Sequence, residues 1–512
     1  MSDKAIVAAE ALLSVLSRVG SVGESDQERI DQLAMLERVK AAAAAAQVRV
    51  TAAFVESQEQ VAQAWLERAR ECSDGGDFDG WRAAREQARA ASFDEDAGAR
   101  GSASAGRRRR PPAMVGVAAQ VALARHESPV RGAAHVRVAL ALTRDLPHTL
   151  AALEAGELSE WRAHIIVRET ATLTSAQRAL VDAEVIGTMA ETGETAERIA
   201  ALGDKELARR VRAVAYRVDA ASVMARAVKA EGERRITIRP APDTMAYLTA
   251  LLPVAQAVAA HTALTAAADA ARADGDERGK GQLMADTFVA RVTGQARADA
   301  VPVEVQLVMT DRTLLAGDDT PAQVRGYGTV PAAWTRDLLT GGESGSDTEG
   351  SADVQVWLRR LYTHPATGTL VAMDSTRRTF EGGLRRYLLT RDAGTCRTPW
   401  CDAPVRHLDH VRDHAAGGPT TDSNGQGLCV RCNHTKQLPG FSATPITPRQ
   451  PGAPHTVRTT TPTGHTYTSH APPLLPGSPG PTAPWPPLDA PRLLRSHTPS
   501  FVERFIALAL AA

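Results

Sequence analysis

The sequence predicts a mainly α-helical chain of several domains that closes on a small metal-stapled module and a Pro-rich tail. Three observations predict it. At 512 residues the chain is too long for one ordinary hydrophobic core. Alanine is abundant while aromatic residues make up only 4%, a balance that favours close helix packing over a large β core. Four of the five cysteines (Cys396, Cys401, Cys429 and Cys432) crowd together, with Cys72 alone far upstream. The formal net charge is zero, so any attraction to nucleic acid must be local rather than a property of the whole molecule. Lys4 precedes an apolar stretch, but Glu10 interrupts it and no small-residue cleavage site follows, so no signal peptide is read. The most apolar window, Leu251 to Ala268, contains Pro253, Gln256 and His261 and reads as a packed helix rather than a membrane span. The expected compartment is the cytoplasm. In its reducing conditions four crowded thiols point to a metal rather than to two disulfides.

In chain order, residues 1–95 read as N-terminal helices. From Ala5 to about Arg70, apolar positions such as Leu12, Leu13, Leu16 and Val19 recur at three-to-four spacing. Helix is expected to continue around Trp81. Residues 96–112, ending in Arg107 to Arg110, Pro111 and Pro112, read as an Arg/Gly-rich linker, solvated rather than bound to phosphate. Residues 113–340 form a helical domain. Within it Thr174-Ser-Ala-Gln177 has the form of a capping box, opening the helix that carries Leu180, Val181 and Val185. Arg235 to Arg239 alternates like a strand before Pro240, and Val301 to Thr310 is a second β-like run. Glu154 to His164 places several polar side chains on neighbouring helical turns, which packing of Trp161 and His164 would explain. Gly279-Lys280 lacks the spacing and the Ser/Thr of a phosphate-binding loop. Residues 341–380 are a loop and connecting segment, with Gly341 to Ala352 rich in Gly, Ser and Asp. Residues 381–441 hold the metal-bearing module, and 442–512 are a Pro/Thr-rich tail too poor in apolar residues to fold. A short amphipathic helix is expected over Ser500 to Ala512.

The chemistry lies between the cysteine pairs. A C-x4-C pair and a C-x2-C pair are separated by residues 402 to 428. Four thiolates so spaced can surround one Zn2+ tetrahedrally, and a closed four-sulfur shell is structural rather than catalytic. Such a staple suits a short polar segment without a core of its own. Asp409 offers a hard oxygen to a Mg2+-like cation, and the adjacent His410 can accept a proton near neutral pH. Cutting a phosphodiester needs both a base for water and a cation for charge on oxygen. Asn424 follows the Gly417-Gly418-Pro419-Thr420 turn, where an amide side chain can bond backbone and hold the base in place. A short helix from about Cys429 would return Asn433 or His434 toward the cation, and Lys436 adds charge for phosphate. From Arg377 to Lys436 there are ten Lys/Arg and six Asp/Glu, a local surplus of four. Arg385, Arg386 and Arg391 are therefore candidate contacts to a nucleic-acid backbone, with a solvated helical face as the alternative.

The combination Asp409-His410, Gly417-Gly418-Pro419-Thr420, Asn424 and Cys429-Val-Arg-Cys432-Asn433-His434-Thr-Lys436 resembles the HNH endonucleases over about Leu388 to Phe441. That resemblance implies a ββα-metal fold and cation-dependent hydrolysis of DNA, commonly with Mg2+. It makes Asp409 a metal ligand, His410 the general base, Asn424 the residue that orients the base loop, and Asn433 the helix ligand. Many members carry histidine at the Asn433 position, so His434 remains a rival. Upstream, Leu150 to His164 with Arg168-Glu-Thr resembles DUF222, the helical domain often joined to HNH modules in actinobacterial proteins of the 13E12 repeat family. The likeness spans about Leu33 to Val330. The expected partner is double-stranded DNA, with no membrane involved. A regular strand turns Asp409 and His410 to opposite faces and His407 and Asp409 to the same one, so the motif requires the strand to end or bulge near His410. His414 is expected to be a loop residue. The alternatives are a non-catalytic zinc ribbon that binds nucleic acid and a nucleobase deaminase. The second lacks the His-x-Glu and Pro-Cys-x-x-Cys that its chemistry needs.

Overall fold

The computed structural model describes residues 11, 14–17, 25–91, 115–187, 202–294, 307–309, 313, 317–324, 328–340, 379–446 and 453–473. The expected linker over 96–112, the loop over Gly341 to Ala352 and the helix over Ser500 to Ala512 lie outside those residues. The chain divides into two compact units, Met1–Lys229 and Ala230–Ala512.

The first unit is helical. Ser25 caps α1 (Asp26–Asp74) in a full capping box with Glu28. A tight turn then folds α2 (Phe78–Ala91) back against α1. The bundle continues with α3 (Val115–Ala124), α4 (Pro129–Arg144), α5 (Pro147–Glu154), α6 (Glu160–Glu169) and α7 (Ser175–Asp182). One π-helical turn (Ala183–Gly187) extends α7, and α8 (Asp204–Val218) and α9 (Ala220–Glu231) follow. The core joins Ala41, Ala44 and Ala45 of α1 to Leu142, Leu153, Ile166, Val181, Leu207 and Val211. Alanine on α1 lets these larger side chains approach closely. Gly132 does the same between α3 and α4, where a Cβ would stand 2.4 Å from the Ala118 carbonyl oxygen. The capping box at Thr174 and Gln177 forms as expected, and Val181 and Val185 are buried while Leu180 faces solvent. Asp182, fully buried, accepts the amides of His148 (2.7 Å) and Thr149 (3.1 Å) and so caps α5, whose own N-cap Leu146 cannot. Trp161 departs from expectation: it is exposed, its indole N–H donating to Asp204 at 3.0 Å. A ring with an exposed polar handle needs no core position.

In the second unit, β1 (Arg235–Pro240) pairs antiparallel with β2 (Ala246–Leu251), confirming the first strand-like run. Of the second run, Leu307–Val308 is strand β3, joined to β4 (Ala322–Val324) and β5 (Gly328–Val330), with α12 (Ala332–Thr340) following. The apolar window forms α10 (Val254–Ala273), which packs on α11 (Lys280–Thr293). The packing is shallow: of the residues of α10 only Ala268 is fully buried, and apolar side chains such as Val254 and Val258 stay exposed. Among the described residues no helix is long and apolar enough to cross a membrane.

The C-terminal module runs from α13 (Gly382–Arg391) through β6 (His407–His410), β7 (Gly425–Leu428) and α14 (Val430–Lys436). It has the expected ββα order. The Pro/Thr-rich segment departs from expectation over residues 442–446 and 453–473. There β8 (Ser442–Ile446), β9 (Thr456–Thr460) and β10 (Thr466–His470) form an antiparallel meander. Threonine is a good strand former, and buried Arg397 gives the meander an anchor that composition alone does not reveal. Its Nη2 donates to the carbonyls of His455 and Ser469, each at 3.0 Å. The module therefore extends past residue 441 to Pro473.

Candidate metal centre and active site

Two tight turns bring the cysteines together. The first pair is bent back by backbone hydrogen bonds, the Cys396 amide donating to the Ala403 carbonyl (2.9 Å) and the Cys401 amide to the Thr398 carbonyl (3.1 Å). In the second, Cys429 is the N-cap of α14, and its sulfur accepts the amide of Cys432 at 3.4 Å. All four are buried and unbridged, and their sulfurs lie within 4.8 Å of one another. Two of the sulfur pairs are 3.6 and 3.9 Å apart. A tetrahedron of Zn–S bonds of about 2.3 Å has edges of about 3.8 Å, so the spacing is that of ligands around one ion. Hydrogen bonds from neighbouring thiols, Cys401 foremost for Cys396 and Cys396 for Cys429, push those two thiols down in pKa. Cys401 and Cys432 are pushed up, chiefly because each holds its proton against Cys396. A divalent cation is what lets four crowded sulfurs all carry charge. The four cysteines can therefore hold a structural ion such as Zn2+.

Beside this cluster, β6 pairs in unbroken register with β7, from His407 opposite Leu428 to His410 opposite Gly425. The strand ends at His410 without a bulge, so alternation holds. His407 and Asp409 face α14. There the Asn433 side-chain amide meets His407 Nδ1 at 2.8 Å, and the Lys436 ammonium meets Asp409 at 2.8 Å. Lys436 also pairs with Asp413 and is itself nearly buried, so its charge is committed to two carboxylates rather than offered to phosphate. Among the described residues, Asn433 Oδ1 is buried with no hydrogen-bond partner. His434, the rival, lies with its ring 6.4 Å from that of His407.

His410 is buried on the opposite side, its ring 4.5 Å from Phe380 and 5.4 Å from His414, with Nε2 at 2.9 Å from the Thr420 hydroxyl. Burial, more than any neighbouring charge, lowers its pKa. Exposed His414 lies in a short turn after the strand. Asn424 closes the loop between the strands: it accepts the Arg412 amide (2.8 Å) and donates to the Arg412 and Pro419 carbonyls (3.0 and 2.8 Å). Gly418 permits this clamp, since a Cβ there would stand 2.0 Å from the Arg412 carbonyl oxygen.

The candidate backbone arginines separate. Arg385 and Arg386 are exposed on α13. Arg391 is not available to a nucleic acid: it is buried, pairing with Asp392 at 2.8 Å and donating to the Asp422 and Gly425 carbonyls. A basic residue in a charged stretch looks the same in sequence whether it turns outward or inward. Sequence reasoning did not foresee that His407 would meet Asn433 or that Asp413 would share Lys436 with Asp409. The shared strand face of 407 and 409 signalled the first, and nothing marked the second.

The meander is tied on by His455, whose Nε2 donates to the Ser423 carbonyl at 2.8 Å. Burial lowers its pKa to about 4. An unfolded histidine titrates near 6.5. A depressed pKa in the fold stabilises fully above the unfolded value, and that contribution is lost as pH falls from about 6.5 to about 4. Up to about 3 kcal/mol is at stake. Urea unfolding at pH 7 and pH 4 checks this: His455→Gln, which keeps the donor but cannot titrate, should lose distinctly less stability on acidification than the parent.

The family described as a domain of unknown function (DUF222) matches residues 82–392. The chain belongs to the DUF222 family. The DUF222 match starts later than Leu33 and runs well past Val330, from within α2 to the end of α13. All four cysteines and the β6–β7–α14 unit lie beyond its end. No curated protein and no solved structure matches the chain.

Proposed function

We propose that the module following the DUF222 region is an HNH-type endonuclease, hydrolysing DNA phosphodiester bonds with a divalent cation. The observation that carries this reading is the ββα unit, in which β6 meets α14 through His407 with Asn433 and Asp409 with Lys436, while Asn424 fixes the loop after His410. The donors fit an oxygen-loving cation. Asn433 Oδ1 is a buried oxygen without a partner, and Asp409 and Asp413 already converge on one positive charge. The orphan oxygen favours Asn433 over His434. When bound, the cation would supply charge neutralisation on the phosphoryl and departing sugar oxygens. His410, held neutral by burial, is suited to take a proton from water, with the Thr420 hydroxyl fixing its ring. Arg385 and Arg386 would meet the phosphate backbone.

One observation favours a second reading, a zinc ribbon that binds nucleic acid without cutting: Lys436 already bridges Asp409 and Asp413. A plasmid-nicking assay with Mg2+, Mn2+ or chelator separates the two. The nuclease predicts cation-dependent nicking that His410→Ala lowers by about 10²–10⁴-fold, with metal content and DNA binding unchanged. Wild-type protein that binds DNA but never nicks it gives the ribbon.

A further inference from the structure

We infer that the DUF222 helical region carries a further metal site, separate from the cysteines and from the proposed nuclease cation, in which His135, Glu160 and His164 bind a divalent transition ion such as Zn2+ or Co2+. These three donors come from two helices, α4 and α6, and their ligand atoms all lie within 4.8 Å of one another. Glu160 and His164 are one helical turn apart, so a single face of α6 presents both. His135 Nδ1 and His164 Nε2 each stand 3.9 Å from the same oxygen of Glu160. Donors at about 2.1 Å from one ion lie about 3.4 Å apart in a tetrahedron, so each imidazole would close on the carboxylate by about half an ångström, from a set already within 4.8 Å.

The surroundings favour a ligand role over a simple ion pair. His135 Nε2 is 2.8 Å from the Glu127 carboxylate. That contact fixes the proton on Nε2 and turns the Nδ1 lone pair toward Glu160, the carboxylate–histidine pairing that orients metal-bound imidazoles. Glu160 has no close donor of its own: its hydrogen bond to Arg125 spans 3.5 Å, while Arg125 also bonds Gln47 and sits 3.9 Å from Glu127. The Glu160 oxygen that faces both imidazoles thus has one long contact to a guanidinium, and the Nδ1 lone pair of His135 is turned toward it. Two imidazoles with one carboxylate suit zinc-like ions rather than Mg2+ or Ca2+. The cluster also lines a cavity walled by Val48, Val138, Leu142 and Leu153, so a coordination position not taken by protein would open into it.

Cobalt titration of the full chain, with zinc in its cysteine site, tests the inference. With Asp409→Ala carried in every sample so that the proposed nuclease site adds no ion, the expected result is uptake of one Co2+ with visible bands and no thiolate-to-cobalt charge transfer. His164→Ala and Glu160→Gln should each abolish that uptake while the cysteine-bound zinc stays. Glu127→Gln, which weakens only the orientation of His135, should lower affinity by about 10–100-fold. Glu160→Gln keeps the side-chain shape, so the test stands even if His164→Ala fails to fold. Equal uptake by the parent and both ligand variants, or uptake only with thiolate bands, overturns the site and leaves an Arg–Glu–His hydrogen-bond network.

Discussion

Replacing Cys429 with serine is expected to remove the metal from the cysteine cluster and unfold the module that it staples. Serine keeps the N-cap on α14 but is no ligand at neutral pH, and the remaining three sulfurs form an open shell. The loss is large because little else holds this region. One hydrophobic cluster consists of the cysteines themselves with Leu428, and the other of Phe380, Leu384 and Leu388. Structural zinc contributes about 10–16 kcal/mol in small domains, more than such clusters can replace. Elemental analysis should show the ion gone. Limited proteolysis should then cut within residues 379–473 while the helices of the first unit resist. Unchanged metal content in the variant would remove the cysteine cluster as the ion's site.

The second large effect is expected from Asp392→Ala. Asp392 is fully buried, accepts the Gly427 amide at 2.8 Å, pairs with Arg391 at 2.8 Å and lies 3.6 Å from Arg397. Removing it strands two buried guanidinium groups, and burial already lowers the pKa of Arg397 to about 10. Breaking one partner of a buried charge network costs about 3–5 kcal/mol. The urea midpoint of the module should fall accordingly, with Asp392→Asn intermediate because it keeps the shape and some of the hydrogen bonds. A midpoint within experimental error of the parent would show that the two arginines find other acceptors.

The helical character, the capping box at Thr174 and the cysteine cluster were legible because each rests on local spacing, which sequence displays directly. Asn424 was legible for the same reason: an asparagine after a Gly-Gly-Pro-Thr turn has backbone groups close at hand. What stayed hidden depends on contacts between residues far apart in the chain. Nothing near Arg391 tells that its guanidinium turns inward to the carbonyls of Asp422 and Gly425. Nothing near Lys436 announces Asp413, and the partner that makes Glu160 and His164 notable is His135, on another helix. The β8–β10 meander escaped because proline and threonine content reports the average of a segment, whereas Arg397 fixes particular carbonyls within it.

That anchor also imposes an order on biosynthesis. Arg397 is enclosed only when the Ser469 carbonyl, 72 residues later, has been made. At about 5–20 residues per second, a ribosome takes roughly 4 to 14 s to cover that stretch. Through most of that interval the growing chain holds a guanidinium whose two carbonyl acceptors do not yet exist, with only the carboxylate of Asp392 beside it, so the earlier helices have time to settle before the module can close.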